Sequence, residues 1–229
     1  MDSDRSYGHF CMLAKTLERL GDRWALLVVR DLLLGPKRFT DLMDRMSGIT
    51  PRTLTRRLRE LEADGVVEVD REAGRREVWY RLTPAGHQLQ SALGELLLWG
   101  LRNVPERPGP DEPVHPEHIL RALQLQLESE HVNGGSLDTA VHVPGTGDYR
   151  LVADGPRWDL RAEDPNEDPA DVTITATRSA LVPFLTTSSP RVPAAAGVEI
   201  DGKASAIRAF LKAIEAFPLA PAGHSEQGL

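Results

Sequence analysis

The stretch "GITPRTLTRRLREL", residues 48–61, gathers four arginines in a chain whose formal net charge is −7. Thr50 is a favourable N-cap and Pro51 a favourable first residue, so the stretch predicts a helix with a defined start. At about 100° per residue, its leucines share one face and most of its arginines share the opposite face. The leucines are Leu54, Leu58 and Leu61; the arginines are Arg52, Arg56 and Arg59, with Thr55 beside them and Arg57 on the flank. We expect the leucines to enter a core and the arginine face to point outward.

In an arbitrary helix, an arginine-rich face is only a solvated surface, but two features favour a more specific role here. Glu60 and Glu62 lie nearer the edges of the face, so its positive charge is barely balanced. The preceding segment "RFTDLMDRM", residues 38–46, has apolar residues at helical spacing and ends in the tight break "SGI". A short helix, a brief turn and a basic second helix have the spacing of a helix-turn-helix unit.

The segment that follows, "VVEVDREAGRREVWYRLT", residues 66–83, alternates in the manner of a β-hairpin. Its tip carries Gly74, Arg75 and Arg76. A charged hairpin tip usually faces only solvent. Directly after a basic second helix, however, the hairpin has the position of a wing, whose arginines reach phosphate or the minor groove. We therefore predict DNA contacts at Arg75 and Arg76.

The helices around this unit predict its core and an assembly surface. "RWALLVVRDLLLG", residues 23–35, is apolar nearly all round and predicts a buried central helix. Thr83-Pro84 opens another helix, whose leucine stripe is more apolar than a small winged domain can cover alone. That stripe comprises Leu89, Leu93, Leu96, Leu97 and Leu101. It favours a partner helix, most simply from a second copy, and two-fold symmetry would place two recognition helices roughly 34 Å apart.

The segment from Cys11 to Gly100 resembles the HxlR-type winged helix-turn-helix regulators of the MarR-like group. The matching landmarks are Cys11, "LGDRWALLVVRDL", "RFTDL", "GITPRTLTRRLRELEADGVV", "WYRLTPAG" and Trp99-Gly100. The resemblance implies a bacterial, cytoplasmic, homodimeric transcription factor that binds double-stranded DNA at inverted-repeat operators. It maps the DNA-contacting positions onto Thr50, Arg52, Thr53, Thr55, Arg56 and Arg59, with wing contacts at Arg75 and Arg76 and a phosphate contact at Arg38.

Cys11 has two competing interpretations. Some relatives use a cysteine near this position to sense oxidants or electrophiles, a role that requires exposure and a lowered thiol pKa. Lys15 sits one turn on and can stabilise a thiolate, but the chain has no second cysteine to resolve a disulfide. The alternative is a small residue buried under the dimer helix. Many family members also have Cys-Pro here, whereas this chain has Cys11-Met12.

A proline-rich segment, "NVPERPGPDEPVHPE", residues 103–117, predicts an extended connector between two modules. Residues 1–105 hold 17 basic and 15 acidic side chains, and the remainder holds 10 and 19, so the balances of +2 and −9 sum to −7. We predict a DNA-binding and dimerisation domain over residues 1–103, a linker over 104–117, a second domain over 118–218 and a flexible tail over 219–229. The first domain is mostly α-helical with a β-hairpin wing.

The second domain changes to period-two alternation in "LDTAVHV", "DYRLVAD", "RWDLRAE" and "DVTITAT", which predicts strands. With its amphipathic helices, this pattern predicts an α+β fold with a mainly antiparallel sheet covered by helices. Through "DGPRWDLRAEDPNEDPADVTITAT" and "GVEIDGKASAIRAFLKAIEAF" it resembles the sterol carrier protein-2 type domain. The resemblance implies a cavity for a hydrophobic small molecule, lined by Trp158, Leu181, Phe184, Leu185, Ile207, Phe210 and Leu211. The alternative is that these side chains fill the core or a dimer contact.

Several classes of function are disfavoured by what the sequence lacks. No apolar run is long enough to span a membrane, and the acidic, polar start is unlike a secretory signal. A single cysteine excludes an internal disulfide framework. No phosphate-binding Gly-rich loop, nucleophile elbow or Cys-rich metal spacing occurs, so we expect no enzyme, cofactor or metal site. His115, Glu117, His118 and His131 form the weak metal candidate. A sheet-domain enzyme and an apolar-ligand carrier remain the alternatives to an effector-controlled regulator.

Overall fold

The computed structural model describes residues 6–70, 77–104, 112–164, 166–186 and 197–215. The chain divides into two compact units, residues 1–95 and 96–229. Half of the predicted linker at 104–117 and all of the predicted tail at 219–229 lie outside the described residues, so the predicted domain boundaries stay a prediction.

The first unit holds a small three-stranded sheet among helices. Its elements are α1 (Met12–Leu20), α2 (Ala25–Leu32), β1 (Lys37–Arg38), α3 (Phe39–Arg45), α4 (Pro51–Ala63), β2 (Val67–Asp70), β3 (Trp79–Leu82), α5 (Pro84–His87) and the first half of α6 (Leu89–Asn103). The sheet order is β1-β3-β2, with every pair antiparallel. The predicted hairpin is confirmed, since Val67 faces Leu82 and Val69 faces Tyr80. The two-residue strand β1 was not predicted.

The core of the first unit forms around α2, as its all-round apolar sequence predicts. Val28 and Val29 of α2 are completely buried. They belong to one cluster with Leu42 of α3 and with Leu54 and Leu61 of α4. The leucine face of α4 therefore points into the core, and this burial fixes which side of the helix faces outward.

The helix predicted to run from Thr83-Pro84 is interrupted. Thr83 Oγ1 caps α5 by accepting a hydrogen bond from Gly86 N at 3.1 Å, but α5 ends at His87 and α6 begins at Leu89. A Cβ atom on Gly86 would lie 2.2 Å from the carbonyl oxygen of Val66. Only glycine allows this approach of backbone to backbone, so the capped turn locks α5 against the segment that joins α4 to β2.

In the part that the structure describes, the second unit is a five-stranded sheet with three helices after α6. Its elements are the second half of α6, α7 (Pro116–Ser129), β4 (Asp138–Val143), β5 (Gly147–Asp154), β6 (Arg157–Ala162), β7 (Val172–Ala176), α8 (Arg178–Thr186), β8 (Val198–Gly202) and α9 (Ala204–Ile214). Among the described strands the order is β6-β5-β4-β7-β8, and the central pair β4–β7 is parallel while the other pairs are antiparallel. The predicted α+β class with a mainly antiparallel sheet is confirmed.

The leucine stripe of α6 divides between two cores. Leu89 and Leu93 pack against the core of the first unit. Leu97 and Leu101 pack against the core of the second unit, while Leu96 remains exposed. The four packed leucines are only half buried, so the predicted partner helix from a second copy stays a prediction. Among the described residues, no helix has the length and apolarity needed to cross a membrane.

Candidate nucleic-acid interface

The start of α4 is fixed by its own side chains. Thr50 has an extended backbone, and its Oγ1 accepts a hydrogen bond from Thr53 N at 3.2 Å, as an N-cap does. The hydroxyls of Thr50 and Thr53 also lie 2.8 Å apart, and Pro51 occupies the first turn. The predicted cap is confirmed. The two hydroxyls lie at the positively polarised end of the helix, where an anion is favoured.

The outward face of α4 carries the arginines that the periodicity placed there. Arg52, Arg56 and Arg59 are exposed, and Thr55 is half buried between them. Arg56 Nη1 makes only a long ion pair, 3.8 Å, with Glu60 Oε1. An open depression of about 460 Å³ runs along this face, lined by Arg52, Thr55, Arg56, Arg59, Glu60 and Ala63. The face is therefore accessible and rich in guanidinium donors.

Arg57 departs from its expected place on the flank of the helix. Its side chain is completely buried, and Nη2 donates to Asp22 Oδ2 at 2.5 Å, while Nη1 is paired with Glu60. Asp22 lies in the turn between α1 and α2, and Asp22 Oδ1 also accepts from Trp24 N at 3.0 Å. Arg57 thus joins α4 to that turn and is a positioning residue for the exposed face.

A second buried ion pair holds α3. Asp31 of α2 is completely buried, and its carboxylate accepts from Arg45 Nε at 2.8 Å and from Arg30 Nη2 at 2.9 Å. A buried charge is stable only when it is paired and hydrogen-bonded, so the Asp31 pair restricts where α3 can lie on α2. Sequence periodicity did not reveal either buried pair.

Arg38, the predicted phosphate contact ahead of α3, is exposed and already paired. Its guanidinium donates to Asp41 Oδ1 at 3.2 Å and to Glu77 Oε1 at 3.1 Å, and it lies 5.6 Å from the ring of Trp79. The hydrogen bond that Arg38 donates to Asp41, and to a smaller extent the one it donates to Glu77, raises the pKa of Arg38 above its ordinary value. Burial favours a raised pKa for Asp41, but the hydrogen bonds from Arg38 prevail and the pKa is lowered. Arg75 and Arg76 lie outside the described residues.

Cys11 is exposed and occupies the N-cap position of α1. Lys15, the predicted partner of its thiolate, instead donates to both oxygens of Glu18 at 2.8 and 2.7 Å. Donation from Lys15 lowers the pKa of Glu18. The structure does not bring Lys15 and Cys11 together as an ion pair, and within its own chain the cysteine is not buried.

The predicted ligand-lining residues all belong to the core of the second unit. Trp158, Leu181, Leu185 and Phe210 are buried, and Phe184, Ile207 and Leu211 are half buried against that core. Trp158 Nε1 donates to the carbonyl oxygen of Val132 at 2.8 Å, and its own carbonyl accepts from Gln124 at 2.7 Å. A Cβ on Gly134 would lie 2.5 Å from the Trp158 ring, so the ring is closely packed.

The metal candidates do not gather into one site. The rings of His115 and His118 lie 5.3 Å apart, edge to face, and Glu117 accepts a hydrogen bond from the Tyr149 hydroxyl at 3.1 Å. Within the described ranges, no group of three or more His, Cys, Asp or Glu side chains is arranged to hold a metal ion.

Comparison with known proteins places this geometry in a family. The model of the HxlR-like helix-turn-helix family matches residues 19–108. The HTH-type transcriptional regulator YtcD of Bacillus subtilis is 35% identical over 115 residues, which is 50% of this chain and 90% of that protein. The chain belongs to the HxlR-like helix-turn-helix family. Regulators of this kind are not enzymes, in agreement with the absence of catalytic motifs.

Other proteins that match the HxlR-like segment are also named as regulators. The HTH-type transcriptional regulator sll1512 of Synechocystis is 38% identical over 88 residues, which is 38% of this chain and 64% of that protein, just under two thirds of its length. The redox regulator HypR, in its oxidized form, is a solved structure with 34% identity; the match covers 39% of this chain and 94% of that chain, with a TM-score of 0.38. The HxlR-like match contains α2 to α6 and both strands of the hairpin.

Proposed function

We propose that the chain is a bacterial, cytoplasmic transcriptional regulator that inserts α4 into the major groove of double-stranded DNA. The observation that carries the proposal is the two-sidedness of α4 in a helix-turn-helix family: Leu54, Leu58 and Leu61 are buried, whereas Arg52, Arg56 and Arg59 are exposed. Arginine donates bidentately to guanine O6 and N7 in the major groove, and it also pairs with phosphate.

Each predicted contact has a role in this proposal. Base edges and nearby phosphates are contacted by Arg52, Thr53, Thr55, Arg56 and Arg59, and the N-cap Thr50 faces phosphate at the helix end. Arg38, Arg75 and Arg76 contact the backbone that flanks the site. Arg38 would exchange part of its pairing with Asp41 and Glu77 for phosphate, so its net contribution to affinity is smaller than that of an unpaired arginine.

We further propose that the regulator acts as a homodimer on an inverted repeat. Support comes from apolar side chains that the first unit leaves exposed on and before α1: Tyr7, Phe10, Met12, Leu13 and Leu17. In the second unit, Leu96 and Trp99 of α6 are also exposed. Exposed apolar residues in this number are typical of an assembly surface, and a two-fold dimer uses the same surface on both copies.

Selection from a randomised duplex library tests both proposals. Full-length protein is incubated with the library, and the bound duplexes are amplified and sequenced. We expect enrichment of an inverted repeat whose half-sites lie about 10 bp apart, centre to centre. Sedimentation velocity on the selected duplex should show two chains per duplex. A library with no enriched motif contradicts sequence-specific binding, and one chain per duplex contradicts the dimer.

The second unit is proposed as the effector or assembly domain, controlled by a hydrophobic small molecule. Support comes from Phe184, Ile207 and Leu211, which are only half buried at the margin of its core. Native mass spectrometry of protein purified from cells tests this role. A co-purifying apolar molecule supports it, and protein that is consistently empty contradicts it, leaving an assembly role.

Redox control through Cys11 is a second candidate function, favoured by the exposure of the thiol at the N-terminal end of α1. With one cysteine in the chain, oxidation would have to join two copies or add a small thiol. Comparing the affinity of wild type and Cys11→Ser for the selected duplex, with and without diamide, decides this role. Equal responses of the two proteins would exclude it.

A further inference from the structure

The basic side chains of the first unit are unequally engaged. Within the part of this unit that the structure describes, all but three of the lysines and arginines bond to a carboxylate or carbonyl oxygen. The three exceptions are Arg23, Arg52 and Arg59. Two of these lie on the exposed face of α4 and are already assigned to DNA. Arg23 lies outside the helix-turn-helix, in the turn between α1 and α2.

Arg23 is exposed, and its guanidinium stacks over the indole of Trp24 with its carbon 5.1 Å from the ring centroid. Trp24 is itself held, because it packs against the core and its backbone N–H donates to Asp22. Stacking uses the face of a guanidinium and leaves its in-plane N–H donors available. A held, stacked arginine also loses less side-chain entropy when it binds.

The turn that carries Arg23 is joined to α4. Asp22 accepts from Arg57 Nη2 at 2.5 Å, and Arg19 at the end of α1 lies 3.5 Å from Asp64 at the end of α4. About the axis of α4, Arg57 lies about 100° from Arg56, the nearest member of the exposed arginine face, so the turn lies to one side of that face. A duplex seated on that face therefore brings its phosphate backbone towards the turn, because phosphates border both sides of the major groove.

We propose that Arg23 is a further DNA contact, a phosphate-binding residue that lies outside the recognition helix and the wing. The inference rests on the proposed function of α4. The contact is to backbone phosphate because Arg23 belongs to a neighbouring turn at the side of the reading face, and not to the helix that enters the groove. It adds affinity and fixes register without reading sequence.

Two fluorescein-labelled 30-bp duplexes test the contact, one of arbitrary sequence and one selected from the randomised library by wild-type protein. Affinities for both are measured by anisotropy across a KCl series for wild type, Arg23→Ala, Arg23→Lys and Arg59→Ala. Arg208→Ala is the matched control, since Arg208 is an exposed arginine of α9 for which the described residues offer no acidic partner. Thermal unfolding is recorded for each variant.

We expect Arg23→Ala to weaken binding to both duplexes by the same factor and to reduce the slope of log K against log [KCl] by about 0.9, which corresponds to one phosphate contact. Arg23→Lys keeps the charge and should keep the slope, with a smaller loss of affinity because the planar stack is lost. Arg208→Ala should change neither quantity.

The outcomes distinguish failure of the Arg23 contact from failure of the proposed function of α4. An unchanged slope for Arg23→Ala, with a reduced slope for Arg59→Ala, overturns the Arg23 contact and leaves the α4 assignment standing. A lower unfolding temperature with an unchanged slope likewise overturns it, because Arg23 then serves only to cover Trp24. If neither Arg59→Ala nor Arg23→Ala alters binding, the proposed function itself fails.

Discussion

Arg57 Nη2 of α4 lies 2.5 Å from Asp22 Oδ2 of the α1–α2 turn, and the Arg57 side chain is completely buried. The two residues are 35 positions apart, so no local pattern connects them. Four arginines share α4, yet this one is withdrawn from the surface to hold the helix while Arg52, Arg56 and Arg59 stay outside. One residue type therefore serves both to position the reading face and to form it.

Asp22→Ala should destabilise the first unit, because it removes a partner from a buried guanidinium. Breaking a buried pair costs about 3–5 kcal/mol, and since Glu60 remains beside Arg57 we expect about 2–3 kcal/mol here. Urea unfolding measures the loss. The control is Asp64→Ala, which breaks the partly exposed 3.5 Å pair with Arg19 and should cost about 1 kcal/mol or less. Equal losses for the two variants would mean that the Asp22 pair does not restrain α4.

Arg56→Ala should weaken binding to the selected duplex without loss of the fold. A bidentate arginine–guanine contact is worth about 1–3 kcal/mol, or roughly five- to 150-fold in affinity. Arg56 gives up only a long, exposed pair with Glu60, so its removal hardly changes stability. Arg102→Ala is the control, since Arg102 has the same 51% side-chain exposure and a similar exposed pair with Glu130. Gel-shift titration compares the two, and an unchanged affinity for Arg56→Ala would argue against α4 as the reading helix.

Gly86→Ala should destabilise the first unit by about 1–3 kcal/mol, the usual cost of overpacking. The added Cβ would lie 2.2 Å from the Val66 carbonyl oxygen, and neither backbone can retreat while Thr83 caps the turn. Gly100→Ala in α6 is the matched substitution, with nothing within 4 Å of the new Cβ. Alanine should stabilise a helix there by about 0.5–1 kcal/mol. If the unfolding temperature changes in the same direction in both variants, the close approach of Gly86 to the Val66 carbonyl is not the reason that glycine is needed there.

The ion pair between Arg161 and Glu167 predicts acid sensitivity in the second unit. Donation from Arg161, with a further hydrogen bond from the Asp164 N–H, lowers the pKa of Glu167 from 4.5 to about 2. A carboxylate with a depressed folded-state pKa contributes its full stability above the unfolded value and loses it as pH falls through the folded value. The difference in stability between wild type and Glu167→Gln should therefore be constant above about pH 5 and should shrink between pH 4.5 and pH 2. Urea unfolding at fixed pH steps measures it, and a difference that grows towards pH 2 would contradict the assigned pKa.

Sequence predicted those features of the fold that depend on local pattern. The Thr50 cap, the leucine face of α4 and the existence of the hairpin all follow from short-range spacing. The burial of Arg57 and Asp31 escaped prediction because each depends on a charged partner brought close only by tertiary folding. Arg23 was not among the predicted DNA contacts for a similar reason, because the position of its turn depends on the tertiary ion pair between Asp22 and Arg57.

The second unit shows the same limit in another form. Alternation predicted its strands, but the parallel pairing of Thr139 with Val172 joins residues far apart in the chain. Period-two alternation predicts which face of a strand is buried, but it does not predict which other strand will pair with it. The packing of Leu97 and Leu101 in the second unit was likewise not predictable, because it depends on the tertiary core of that unit.

The central β4–β7 pair has a consequence for how the protein is made. During translation the winged unit emerges first, and it can fold while the ribosome is still making the second unit. The second unit must wait, because the middle of its sheet stays open until the strand that ends at Ala176 has left the exit tunnel. We expect newly made chains to pass through a stage in which the DNA-binding part is complete and the rest is exposed to chaperones.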